Sequence, residues 1–424
     1  DGRSLTISHR YNTLGQRIAT VDIYGHETHY AYDALGRLIK KTLPPLTPNE
    51  TPQEITHYDG MGNPIENWDT LGYCTKKRYT IRGHPYHIEY PDGSTEQKRY
   101  TLDGLLASEV NKNGLTTHFS HDPLGRVIRT EVRDPEGHLL KATSATYNTF
   151  HLLSETDEAG LATLYKYDAA GRRISMTKGD HLTEYLYDSL GRVTNTIESI
   201  DGIKKRTTIH EYDHLDRVIE ERIEDNGNIL KKEQYQYDVN GNRTHLILHT
   251  QAGPATTITE YTPRNEASSI TDALGRVTHI TYNYTHIENG QCVLKIIKTD
   301  PLGNQEIKIH NPHGKVSSLM HCNPFGEITQ CENHHYDLKG QHLAATSTII
   351  AKNKPPRFAT TEWQYDSIGN CIHCIEAKGT PEQKNTRYQF NRYGQKESMI
   401  KPDGTTISYE YDQLGRLKAL KSSD

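Results

Sequence analysis

The 424 residues are 33% apolar and 24% charged, with a net charge of −5 and a mean hydropathy of −0.79. This balance lacks the positive excess of a nucleic-acid-binding surface, and no run approaches the ~18–20 apolar residues of a membrane span or the layout of a signal peptide. Bulk polarity leans towards disorder, but 27 tyrosines against 5 phenylalanines and 2 tryptophans oppose it, because disordered chains are poor in aromatics.

The chain opens at Asp1, without Met and inside a pattern, and so reads as a fragment of something longer. A turn around Gly15 begins a series. The segment His26–Tyr32 alternates, with His26, Thr28, Tyr30 and Tyr32 on one face, which is the period of a half-buried β-strand. It runs into Tyr32-Asp33-Ala34-Leu35-Gly36-Arg37. That hexad returns at Tyr167–Arg172, Tyr187–Arg192 and Tyr411–Arg416, with weaker copies at Tyr58-Asp59, Tyr237-Asp238, Tyr336-Asp337 and Tyr365-Asp366. Gly15 and Gly36, Gly62 and Gly83, Gly83 and Gly104, and Gly394 and Gly415 are each 21 residues apart. A second turn, of Asp-x-x-Gly form at Gly25, Gly72 and Gly160, falls 11 residues before the next main glycine, and Gly404 keeps the same step to Gly415.

Asp at the first position accepts backbone N–H groups, and Gly at the fourth takes a left-handed conformation. The spacing therefore predicts an all-β repeat array of antiparallel hairpins with bulged turns, in which each hairpin is stabilised by its neighbours. One repeat region over 1–424 is expected. It has a loop insertion at about 44–52 around Pro44, Pro45 and Pro48, irregular half-units at about 299–341, and a loop at about 352–357. Unpaired strands at the ends of such an array are association-prone.

His210-Glu211-Tyr212-Asp213-His214 fits H-E-x-x-H, but that zinc site needs a helix; on a strand, residues four apart lie about 13 Å apart. Cys371-Ile372-His373-Cys374 lies near Cys322, Cys331, His334 and His335 in sequence, but residues three apart on a strand face opposite ways. The six cysteines are too few and too uneven for a disulfide framework. Asp33 with Arg37, or Asp188 with Arg192, recurs too often to be catalytic. There Asp is expected to cap its turn, while Arg lies along the adjacent strand and pairs with a carboxylate. Pairs such as Tyr165 with Tyr167 and Tyr185 with Tyr187 are read as cross-strand packing. The 24 histidines are read as neutral hydrogen-bonding groups rather than an acid switch. No catalytic, cofactor-binding or metal-binding residue is assigned.

Tyr-Asp-x-x-Gly-Arg at this spacing resembles the YD or RHS repeats of bacterial RHS and polymorphic toxins, the insecticidal Tc toxin shell and the teneurin YD shell. The resemblance covers essentially the whole chain. It implies a curved, spiralling sheet forming part of a hollow shell, with a non-enzymatic role: to encapsulate or present a C-terminal toxin or effector segment of the parent polypeptide. It also implies a secreted or cell-surface location. The alternative is an extracellular adhesion or carbohydrate-binding module that meets a cell-surface glycan or protein through an exposed tyrosine face.

Overall fold

The structure is a computed structural model and describes residues 6–47, 50–202, 204–350, 356–391 and 393–423. Of the two expected loops, Pro48 and Asn49 in the first and residues 352–355 in the second lie outside the described residues. The described residues form 36 strands, from β1 (Ser8–Tyr11) to β36 (Leu417–Ser423), and no helix. All the strands belong to one sheet, which is the all-β hairpin array that the spacing predicts. No helix is long and apolar enough to cross a membrane.

The chain divides into two compact units. Unit 1 comprises Asp1–Thr116, Asp134–Gly137 and Thr281–Asp424, and unit 2 comprises Thr117–Arg133 and His138–Ile280. Within each, successive strands pair antiparallel, as in Glu27–Tyr32 with Leu38–Thr42 and Lys204–Tyr212 with Val218–Asp225. The stretch 299–341, expected to be irregular, carries the same five-residue turns at Asp300, Asn311, Asn323 and Asp337; its strands are simply longer, such as Ile328–Tyr336.

Turn chemistry sets this geometry. Asp33 donates its N–H to the Arg37 carbonyl (3.0 Å), and Gly36 donates to the Asp33 carbonyl (3.0 Å). Oδ1 of Asp33 accepts from the N–H groups of Leu35 and Arg37. Gly36 has φ of 83°, a region that most side chains avoid. Asp216 replaces glycine in one turn and still takes φ of 61°, because a short polar side chain tolerates that conformation. After the turn the ladder skips a residue: Ala31 faces Lys40, and Tyr32 faces Leu38. This β-bulge bends the strand and recurs at Tyr58, Tyr79, Tyr187 and Tyr237.

The core is thin. Ala19, Leu115, Val132, Tyr165, Val293, Ile309 and Cys322 are buried apolar residues, and Ser108, Ser175, Ser269, Ser318 and Ser398 are buried as well. Each of these serines, like Ala19, stands four residues after the left-handed residue of its turn. Several face a long polar side chain across the ladder, as Ser108 faces Arg99 and Ser175 faces Lys166. The stem of such a chain covers a small residue while its head stays in water.

Candidate functional site

The turns that lead from an odd-numbered strand to the next even one, here called main turns, form a connected row. In many of them the fifth residue reaches the next. Arg37 donates Nε to Asp33 Oδ2 (2.7 Å) and Nη1 to the Asp59 carbonyl (3.0 Å) one main turn later. Arg192 bonds Asp188, the Asp213 carbonyl and Asp216 Oδ1, and Arg217 bonds Asp213 and the Asp238 carbonyl. Gln341 and Gln395 make the same reach to Gly369 and Gly415. The expected carboxylate pairing is present, but the arginine points across to the next turn rather than along the adjacent strand. Main turns are two strand spacings apart, roughly 10 Å, and a long side chain anchored on its own turn aspartate bridges much of that distance.

At some of these turns the end of a neighbouring side chain packs close to the glycine. A Cβ on Gly36 would come within 2.9 Å of Gln16 Nε2, and one on Gly171 within 2.9 Å of His151 Nε2. The reaching side chain passes against the glycine.

Beneath each arginine lies the tyrosine that precedes the next turn. The Arg37 guanidinium sits 4.8 Å from the Tyr58 ring centre, and Arg192 sits 4.8 Å from that of Tyr212. Where histidine replaces arginine it stacks instead, His84 on Tyr100 at 4.9 Å and His151 on Tyr167 at 4.5 Å. The tyrosine hydroxyls donate to backbone carbonyls at the bulge of the preceding hairpin: Tyr58 to Leu38, Tyr79 to Pro64, Tyr212 to Val193 and Tyr237 to Val218. Phenylalanine would fill the space but leave the carbonyl unpaired, which accounts for the preference for tyrosine. The sequence shows the Tyr stripe but not this bond, because its acceptor is a backbone atom whose position depends on the bulge.

The electrostatics follow the same pattern. The Asp33 carboxyl is held below the usual range by the Arg37 backbone N–H and guanidinium. Asp213 is drawn down to about 2: desolvation pushes it up, but the Arg217 backbone N–H, the Arg217 guanidinium and the Leu215 N–H together outweigh that push. Tyr165 is pushed up to about 12 by burial and by its bond to Glu155.

The motifs singled out in the sequence are not brought together. His210 lies on its strand beside Glu221 (3.4 Å), whereas His214 is exposed in the following turn. Cys371 and Cys374 depart from strict alternation. Tyr365 faces Cys371 and Gln364 faces His373, so Ile372 is an extra bulge residue, and both thiols lie beside Tyr365 and Tyr388. The expectation of opposite faces is thus corrected by the bulge. Burial pushes both thiols up, and all six cysteines are free. Among the described residues, no trio of closely spaced ligand atoms includes Cys322, Cys331, His334, His335, Cys371 or Cys374. Burial also lowers His310 and His342.

Unit 1 holds a second arrangement. Main turns of its later stretch sit on the even-to-odd, or alternate, turns of its first stretch. His313 Nε2 lies 2.7 Å from the Pro44 carbonyl, and Gln291 donates to the Pro45 carbonyl (3.1 Å). Lys339 pairs with Asp69 and lies 4.9 Å from the Tyr73 ring centre. Ile368 and Asn391 share a groove of about 530 Å³ with Asp92 and Lys112, and Asn113 lies against Gly415. The sheet of unit 1 thus returns upon itself along a polar seam of turns.

Residues 100–139 and 147–183 match the RHS repeat family model. Over 186 residues, 43% of the chain, it is 25% identical to the double-stranded DNA deaminase toxin A of Burkholderia cenocepacia (strain H111), and it spans 11% of that protein. Among solved structures it is similar to TcdB2-TccC3, at 13% identity and a TM-score of 0.33, covering 98% of this chain and 31% of that one. It is also similar to the Photorhabdus luminescens Tc holotoxin pore, at 12% identity and a TM-score of 0.26, covering 98% and 30%.

Proposed function

For a chain that carries RHS repeats, we propose a structural role: a length of protein wall that encloses or presents a toxin or effector segment of its parent polypeptide and performs no chemistry itself. The observation that carries this reading is the seam of unit 1, where main turns at His313 and Lys339 rest on Pro44 and Asp69. A sheet whose rims dock on one another makes a surface thicker than one strand layer without a conventional core. The recurring Asp, Arg and Tyr side chains are engaged in holding that surface. The name of the Burkholderia relative supports a toxin as the class of cargo, and a secreted or cell-surface location belongs to the same proposal.

The wall is favoured over an adhesion module by the tyrosines. Tyr58, Tyr79, Tyr212 and Tyr237 are part-buried with their hydroxyls bonded to backbone, which withdraws the aromatic face that glycan stacking requires. The test is protease protection. The parent polypeptide is treated with trypsin beside its isolated effector segment. Enclosure predicts that the segment survives in the intact chain and is cut when free; equal cutting in both removes the proposal.

A further inference from the structure

The bulge after a main turn puts two positions three apart in sequence on one face of the sheet. Leu38 and Lys41 lie opposite Tyr32 and Tyr30, and Val193 and Thr196 lie opposite Tyr187 and Tyr185. In the hairpin of Arg357–Tyr365 and Cys371–Glu376 these positions are Cys371 and Cys374, opposite Tyr365 and Trp363. Tyr365 and Trp363 stand two apart on a strand and share a face, so the two thiols share it as well. Both are free and half-buried. Burial pushes both thiols up, and Glu376 adds to this at Cys374; the Lys396 ammonium opposes it at Cys371, and the Trp363 indole N–H, donating to the sulfur, opposes it at Cys374. Lys396 Nζ also lies 4.4 Å from the ring centre of Tyr388, which both thiols approach.

Two thiols placed in this way suit one kind of occupant. Cross-strand partners two residues apart set their backbones about 7 Å apart, whereas a disulfide holds its Cβ atoms about 4 Å apart. Two metal–sulfur bonds of about 2.3 Å in line hold their sulfurs about 4.6 Å apart, which side chains leaning together from about 7 Å can meet. Structural zinc takes four ligands, and among the described residues no trio of ligand atoms includes either cysteine. Copper(I) is a soft cation that thiolates select, and two of them in line satisfy it. We propose that Cys371 and Cys374 hold one copper(I) ion between their sulfurs. Each thiol gives up its proton to water as its copper–sulfur bond forms, and the metal stays copper(I) throughout. The bound group then carries one negative charge, which the Lys396 ammonium offsets. The site does not depend on an enclosed segment being present.

The experiment is anaerobic titration of the reduced, purified chain with copper(I) against a coloured copper(I) chelator. The other cysteines, Cys74, Cys292, Cys322 and Cys331, are first replaced by serine, and matching circular dichroism melts confirm that this chain folds. The expected result is one equivalent of copper(I) withheld from the chelator, its loss with either Cys371→Ser or Cys374→Ser, and two sulfur neighbours of the metal in X-ray absorption. In the chain with all its cysteines, copper(I) should shield Cys371 and Cys374 from maleimide, read by peptide mass, and this measurement needs no substitution. No copper withheld, an equivalent that survives the loss of either thiol, a metal with a single sulfur neighbour, or labelling unchanged by copper(I) would each overturn the proposal. Ready formation of a Cys371–Cys374 disulfide under mild oxidation would overturn it too, because the thiols would then sit closer than the bulge places them.

Discussion

The alternate turns that close the longest strands of unit 2 are shorter than the seam turns of unit 1. In unit 2, Asp201-Gly202 and Asn226-Gly227 have positive φ at both residues and close strands of eight to ten residues, such as Val193–Ile200 and Asn228–Tyr237. In unit 1, Asp69–Tyr73 and Tyr90–Ser94 keep the five-residue form between strands of five or six residues, such as Pro64–Trp68 and Thr95–Tyr100. A two-residue turn matches the natural twist of a hairpin but offers a narrow tip. The five-residue turn presents a carboxylate and a broad backbone surface, and it is on such turns of unit 1 that Lys339 and Ile368 sit. Unit 2 gains longer ladders instead, with cross-strand ion pairs such as Lys232 to Glu220. Five-residue alternate turns also occur away from the seam, as at Asp157–Leu161 and Asp272–Arg276 of unit 2, so the form serves the seam but is not exclusive to it.

Acid has the largest expected effect and separates the units. Asp33, Asp59 and Asp300 in unit 1, and Asp122, Asp188 and Asp213 in unit 2, all lie below their ordinary carboxylate values. The unfolded chain therefore takes up protons first as the pH falls. The stabilisation is complete above about pH 4 and is lost towards about pH 2, where Asp213 titrates. Unit 1 also holds His310 and His342, lowered by burial; the unfolded state again binds the proton more readily, so unit 1 starts to weaken below about pH 6.5. Hydrogen exchange followed from pH 7 to pH 2 should show unit 1 opening before unit 2. Simultaneous opening would remove the distinction.

The next largest effect tests the seam. Replacing residues 44–51 by Asn-Gly removes the carbonyls that receive His313 and Gln291 and uncovers the fully buried Pro52. Two hydrogen bonds at about 1 kcal/mol each and the lost burial give a cost of about 3 kcal/mol. Exchange protection should fall across Gln291–Thr299 and Val316–Cys322 while the strands of unit 2 keep theirs.

The tyrosine bond, by contrast, is common to both units. Tyr79→Phe and Tyr212→Phe each leave a bulge carbonyl without its hydroxyl, at about 1 kcal/mol apiece. The two hydroxyls share no partner, so the double variant should be additive in urea denaturation. A cost confined to one unit would show that the lattice is not uniform.

Much of this architecture is legible in the sequence, because Asp and Gly act locally: Asp33 and Gly36 specify their turn from within five residues. Strand alternation around His26–Tyr32 gives the strands for the same reason. The reach of Arg37 to Asp59 is not legible, since its acceptor is a backbone carbonyl 22 residues away. Nor is the buried serine position, because Ser108 and Ser175 are small residues whose burial depends on what faces them. That Cys371 and Cys374 share a face is not legible either, because strict alternation takes no account of the bulge at Ile372. The seam is least legible of all: Lys339 and Asp69 carry no mark that they meet.

The smallest expected effect is also the sharpest test of turn length. Asp201 sits at φ of 52° ahead of Gly202 at 67°, the geometry in which Asn-Gly is the favoured pair. Asp201→Asn should therefore stabilise unit 2 by a few tenths of a kcal/mol, because Asn occupies the left-handed region more readily and carries no charge. The matching change in unit 1, shortening Asp69–Tyr73 to Asn-Gly, also creates a better isolated hairpin. It nevertheless removes the carboxylate that holds Lys339 and the ring beneath it, so thermal unfolding of unit 1 should move down. Opposite signs for two substitutions that improve the same local turn would show that the five-residue form is kept for what rests on it. Equal signs would mean that turn length follows the hairpin alone.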